Sequence, residues 1–146
     1  MKRVVYVLLV AVLCSFTAKD IRLQFSEFEI KDENGVTRIA VNKTGEIKVG
    51  EQLVGKISKD GMLHDNNGEL LAKITDDDIL ENKEGKSLVK IDKDGKINNG
   101  SGMFIEWSEN GEFLKGDKKT GIHITPVDKN SFQTASIILY LYLSIK

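Results

Sequence analysis

The chain has 146 residues and a formal net charge of −1, with 40% hydrophobic and 29% charged residues, enough for one compact domain but not two. That hydrophobic content excludes disorder from want of a core, and the near-neutral balance leaves no electrostatic footprint for nucleic acid or anionic lipid. One Pro stands against 13 Gly, so chain reversals fall to glycine turns.

Residues 1–18 stand apart. Lys2 and Arg3 precede an unbroken apolar run over residues 4–13, and a small-residue zone, Cys14-Ser15-Phe16-Thr17-Ala18, follows it. This order predicts a secretory signal peptide cleaved after Ala18. The run is far shorter than the roughly 20 apolar residues that span a bilayer. The expected address is therefore secreted or periplasmic, with no membrane span in the mature chain. Lipidation at Cys14 is the alternative, and the bulky Leu13 before it argues against it. Cleavage removes two positive charges and no negative ones, taking −1 to −3, and removes the only cysteine. The mature chain then has no disulfide, thiol nucleophile or thiolate metal site.

Ile21, Leu23 and Phe25 alternate as a first strand. Beyond them the chain repeats itself. Gly45, Gly61, Asp78, Gly95 and Gly111 recur at spacings of 16, 17, 17 and 16. Two residues further on stand Ile47, Leu63, Leu80, Ile97 and Phe113, and a closing column reads Val41, Ile57, Ile74, Ile91, Trp107 and Ile124. Between these columns the pattern has period two, as in Leu70-Leu71-Ala72-Lys73-Ile74, which predicts strands with the isoleucines inward and Lys56, Lys73 and Lys90 outward. Asn-Gly and Asp-Gly pairs between the strands read as type I′ hairpin turns. The predicted units are 28–44, 45–60, 61–77, 78–94, 95–110 and a looser 111–125, each a hairpin too small to bury its own apolar face.

After Pro126 comes a polar link and then a closing segment at 135–145, apolar at every position from Ile137 to Leu143. Its β-branched and aromatic residues favour a strand, with a helix left open. Such a segment must be covered on all sides, and it is read as the plug of the ring. The predicted fold is all-β, with repeated hairpins in a ring or flat barrel closed by this hydrophobic C-terminal segment.

The stretches "LVGKISKDG", "DNNGELLAKI" and "SLVKIDKDG" resemble the repeat of the five-fold β-flower proteins, small secreted proteins of Bacteroidetes. The resemblance covers residues 28–145 and includes the proline-containing link and hydrophobic tail. It departs where the repeat's Tyr is Lys56, Lys73 and Lys90, and only Gly55 keeps the preceding glycine. The resemblance implies a β-hairpin ring and an extracytoplasmic address, and no activity.

Chemistry is sparse. His64 and His123 occupy different columns, no serine sits in a nucleophile elbow, and no glycine opens a helix to cradle phosphate. A non-enzymatic protein without a cofactor is expected. The densest carboxylate cluster, Asp76-Asp77-Asp78 with Glu81 and Glu84 beyond it, could offer Ca²⁺ hard oxygen ligands, as could Asp92 and Asp94. Against this, Lys93 and Lys96 interrupt the second group, and Asp is itself a turn former. Trp107 and Phe113 fall in inward columns and are assigned to the core. Val54, Leu71, Leu88 and Phe104 form an outward apolar stripe, one residue per unit, that could meet a partner. The expected function is a structural or binding module of the cell envelope whose partner is a protein or glycan. The alternative is a calcium- or ligand-dependent module using the Asp-rich turns.

Overall fold

The computed structural model describes residues 22–98, 102 and 104–143. The expected signal peptide, with Cys14 and Ala18, lies outside the described residues.

Twelve strands are present among the described residues: β1 (Phe28–Lys31), β2 (Thr37–Val41), β3 (Glu46–Val49), β4 (Gln52–Ile57), β5 (Met62–Asp65), β6 (Leu70–Ile74), β7 (Ile79–Asn82), β8 (Ser87–Ile91), β9 (Ile97–Asn98), β10 (Phe104–Trp107), β11 (Glu112–Lys115) and β12 (Lys118–Thr125). Each pairs antiparallel with its neighbours in sequence, and β12 returns to β1 through Ile30↔Ile124, closing a barrel. Two strands fall in each repeat unit, and the inward columns form the wall's inner face. Val41↔Ile47, Ile57↔Leu63, Ile74↔Leu80, Ile91↔Ile97 and Trp107↔Phe113 are cross-strand partners, and all ten are buried. Each fully buried side chain of this kind contributes ~1.5–3 kcal/mol, so the repeat is a device for lining a barrel.

The barrel has two mouths. The basal mouth is made by the turns that end at Gly45, Gly61, Asp78, Gly95 and Gly111, and the distal mouth by the turns within each repeat. The turns are not type I′, which needs positive φ at both central residues. Asp78 is the one non-glycine residue with positive φ among those described. In the β1–β2 turn Gly35, at φ 77°, donates to Asp32 O and Asp32 N donates to Val36 O. This is a type I turn completed by a left-handed glycine bulge. What selects it is the polar residue that opens it: Asp32 Oδ1 accepts from Asn34 N and Val36 N, and Asp65, Asn82 and Asp92 do the same in theirs. The Val36 amide, then those of Asn34 and the Arg38 guanidinium, hold the Asp32 carboxyl below the ordinary carboxylate value.

Below the distal turns the register slips once per hairpin in β1–β2, β3–β4, β5–β6, β7–β8 and β11–β12. In β3–β4, for example, Ile47 faces Gly55 and Lys48 faces Leu53, so Val54 is the extra residue of a β-bulge. Repeated bulges add twist at one height and curl the sheet into closure.

The segment around Leu23 and Phe25 is not a strand. Arg22 N and Leu23 N both donate to Lys59 O, and Leu23 and Phe25 are buried. Ser26 N donates to Ser131 Oγ and Ser26 Oγ to Asp128 Oδ2. With both of its neighbours present, every strand at this mouth lacks a free edge, so the segment lies across the opening as a lid.

The closing segment is a helix, not the strand its composition favours. Asp128 caps a short 3₁₀ turn (Lys129–Ser131) that leads into α1 (Phe132–Tyr142). Eight successive residues, Phe132 to Leu139, are buried, which for a helix means cover on every side. That cover is the barrel: α1 fills the lumen. A closed sheet offers no edge to a thirteenth strand, whose polar backbone would stand unpaired in an apolar interior, whereas a helix satisfies its backbone internally. The wall is shaped to receive it. Along one inward column the side chains grow as Gly55, Ala72, Val89 and Ile105, and a Cβ at Gly55 would lie 2.8 Å from the Tyr142 hydroxyl. At the other end a Cβ at Gly95 would lie 2.6 Å from Phe132 O. The helix therefore enters beside β9 and leaves beside β4.

Candidate functional site

The carboxylates proposed from the sequence gather at the basal mouth, where the N-terminus of α1 enters. Asp78 takes the turn position that Gly45, Gly61, Gly95 and Gly111 hold elsewhere, with φ 63°; Asp tolerates this left-handed backbone better than most residues. Its carbonyl accepts from Ile91 N at 2.9 Å, just as Gly61 O accepts from Ile74 N. Its carboxylate does what glycine cannot. Oδ1 accepts from Gln133 Nε2 at 2.9 Å and pairs with Lys93 Nζ at 3.1 Å. Gln133, only 4% exposed, also donates to Ile91 O.

Two of the neighbouring acids, Asp76 and Asp92, are committed as well. Asp76 pairs with Arg22 of the lid, and Lys93 Nζ reaches Arg22 O at 3.4 Å. Asp92 Oδ1 holds the amides of its own turn. Asp77 is exposed, and Asp94 lines an open cleft of about 440 Å³ with Arg22, Gln24, Lys93, Lys129, Asn130 and Gln133. Ca²⁺ asks for six to eight converging oxygens. Among the described residues no group of three or more His, Cys, Asp or Glu side chains converges to hold a metal. What the arrangement does is fasten lid, wall and helix together through Arg22–Asp76 and Lys93–Asp78–Gln133.

A second polar link stands one helical turn on. Ser136 Oγ donates to Gly95 O at 2.5 Å and accepts from Trp107 Nε1 at 2.8 Å. Trp107 stacks on Phe132 with centroids 5.4 Å apart and tilts against Phe113 at 4.6 Å. Sequence reasoning placed Trp107 and Phe113 in the core but missed Phe132, Gln133, Ser136 and Arg22. The signal for Gln133 and Ser136 is their position: polar residues just ahead of an apolar run that must be buried.

The outward stripe has a structural origin. Val54, Leu71 and Leu88 are each the unpaired extra residue of a distal bulge. Leu71 and Leu88 are 37% and 38% exposed, while Val54 packs partly against the core. They sit on alternate strands, roughly 10 Å apart at two strand spacings, with β5 and β7 between them. Phe104, also 38% exposed, lies under Lys96 Nζ at 4.0 Å. The stripe is thus a series of separate half-exposed side chains set in a charged wall.

The two histidines stay apart. His64 on β5 faces Lys56, and His123 on β12 faces Glu112, which pairs with Lys119. No family model, curated protein or solved structure matches the chain.

Proposed function

We propose that the protein is a secreted or periplasmic, non-enzymatic structural or binding module of the cell envelope, meeting a protein or glycan partner through its outer wall. The observation that carries this reading is the filled lumen: α1 is buried on all sides through Leu139, so a partner is met from outside. The outward Lys56, Lys73 and Lys90, and pairs such as Lys73–Glu81 at 3.7 Å, fit a wall that faces water. No described helix is long and apolar enough to cross a membrane. The apolar run after Lys2-Arg3 and the resemblance to the β-flower repeat support the envelope address.

The test is capture from envelope extract with the wild-type protein and with a Leu71→Ser, Leu88→Ser variant. The reading expects one partner retained by the wild type and lost by the variant with the fold intact. Capture that survives the variant would move the contact off this wall.

A further inference from the structure

The cleft beside Asp78 holds polar groups that the fastening of lid, wall and helix leaves unused. Arg22 and Lys93 line it but are held by Asp76 and Asp78. Gln24, Asp94, Lys129 and Asn130 are exposed there, and their side chains make no hydrogen bond or ion pair among the described residues.

Gln133 supplies a fifth group. It is 4% exposed, and its Nε2 is fixed by Asp78 Oδ1 and Ile91 O, both at 2.9 Å. Those two acceptors settle which end of the amide is the oxygen. Oε1 accepts from no described residue. The polar side-chain atoms sealed away without a partner among the described residues are Thr134 Oγ1 and Tyr142 OH. Oε1 is not one of them, so it opens into the cleft that Gln133 lines. A buried amide with its donor locked and its acceptor facing a cleft is a preset contact point for a ligand hydroxyl.

The five groups are three carboxamides, one carboxylate and one ammonium. Their charges cancel: an anion drawn to Lys129 meets Asp94, and a cation drawn to Asp94 meets Lys129. None of the described side chains lining this cleft is aromatic, so a flat heterocycle has no ring to stack on. A ligand that both donates and accepts at each contact, without net charge, is a polyol. Carboxamides and carboxylates match vicinal hydroxyls in pairs. A second cleft of about 380 Å³ shares Gln24 and Asn130 with the first. Phe25 lines it and offers an apolar contact for the C–H face of a sugar ring, while its charges, Lys59 and Asp128, balance as well. At about 440 and 380 Å³, each cleft has the volume of a small-molecule site.

We infer that the basal cleft is a binding site for a neutral carbohydrate, with Gln133 Oε1, Asp94 and Asn130 meeting its hydroxyls. The site is separate from the wall contact proposed above and stands without it. An array of neutral and acidic oligosaccharides probed with the purified protein tests it, followed by titration of a retained glycan. The wild type retains neutral glycans. Asp94→Ala and Asn130→Ala each weaken that binding by about tenfold or more, the loss of a hydrogen bond at the site. Both positions are exposed, and circular dichroism checks the fold. Leu71→Ser with Leu88→Ser leaves glycan binding unchanged, which separates this site from the wall. The side-chain amide resonances of Gln133 shift when the glycan binds. A protein that retains no neutral glycan overturns the inference. So does glycan binding indifferent to both the Asp94 and Asn130 variants, or lost in a folded Leu71, Leu88 variant.

Discussion

Gln133 on the buried helix and Asp78 in a wall turn, 55 residues apart in sequence, are joined by a 2.9 Å hydrogen bond from Nε2 to Oδ1. The one turn of the basal column that departs from glycine is thereby the one whose side chain holds the helix. Asp78→Ala removes this acceptor and the Lys93 pair while keeping a left-handed backbone that Ala resists. It should cost about 2–3 kcal/mol in denaturant unfolding. Asp78→Asn keeps an acceptor and the tolerance for positive φ, and should cost less than ~1 kcal/mol. Equal losses for the two would show that the hydrogen bond to Gln133 contributes nothing.

Ser136 joins Trp107 to the Gly95 carbonyl, so Ser136→Ala leaves a buried indole N–H and a buried carbonyl unsatisfied together. A loss of about 2–4 kcal/mol is expected. Trp107 is the single tryptophan of the chain, so its fluorescence reports the same site directly. The emission should change in the folded variant, because the indole loses its hydrogen-bond partner.

Tyr142 sits where α1 reaches the distal mouth, and its buried hydroxyl has no hydrogen-bond partner among the described residues. Burial, and then the nearby Asp65 carboxylate, raise its pKa above the ordinary 10.0. The folded state therefore holds this proton more tightly than the unfolded chain. Its contribution to stability is intact below 10.0 and is lost as pH climbs above that value. Tyr142→Phe should raise stability by about 1 kcal/mol at neutral pH and make the alkaline decline shallower. A variant less stable than wild type at neutral pH would mean that the hydroxyl is satisfied.

Leu71 and Leu88 are bulge residues facing outward, so Leu71→Ser and Leu88→Ser should each cost less than ~1 kcal/mol and leave the far-ultraviolet spectrum unchanged. Gly55→Ala has the opposite expectation although it adds only a methyl group. Its Cβ would strike the His64 carbonyl and lie 2.8 Å from the Tyr142 hydroxyl; a loss of about 1–3 kcal/mol is expected. If the leucine variants unfold instead, the stripe belongs to the core.

Much of the barrel was legible because its rules are local. Period-two alternation puts Ile57 and Ile74 inside and Lys56 and Lys73 outside, and the turn residues recur in phase with it. The turn geometry was misread because Asn-Gly was weighed without the polar residue two places before it, Asp32 or Asp65, whose side chain selects the type I form. The closing segment was left between strand and helix for a different reason. Residues 137–143 are apolar at every position and carry no periodicity, and what makes them helical is the absence of a free strand edge inside a closed barrel, a property of the whole ring. At the candidate site, the departure at Asp78 was visible, but its partners Gln133 and Lys93 were not, since only closure of the barrel brings position 133 to position 78. The stripe of Val54, Leu71 and Leu88 was seen as a row, and its cause, the recurring bulge, depends on pairing register.

The central claim is that α1 is the core of the barrel and not an appendage to it. Native-state hydrogen exchange across residues 132–142 tests it most directly. The amides of α1 should exchange only through global unfolding, with the same free energy and denaturant dependence as those of Ile57, Ile74 and Ile91. Exchange of α1 through a local opening while the strand amides stay protected would contradict it.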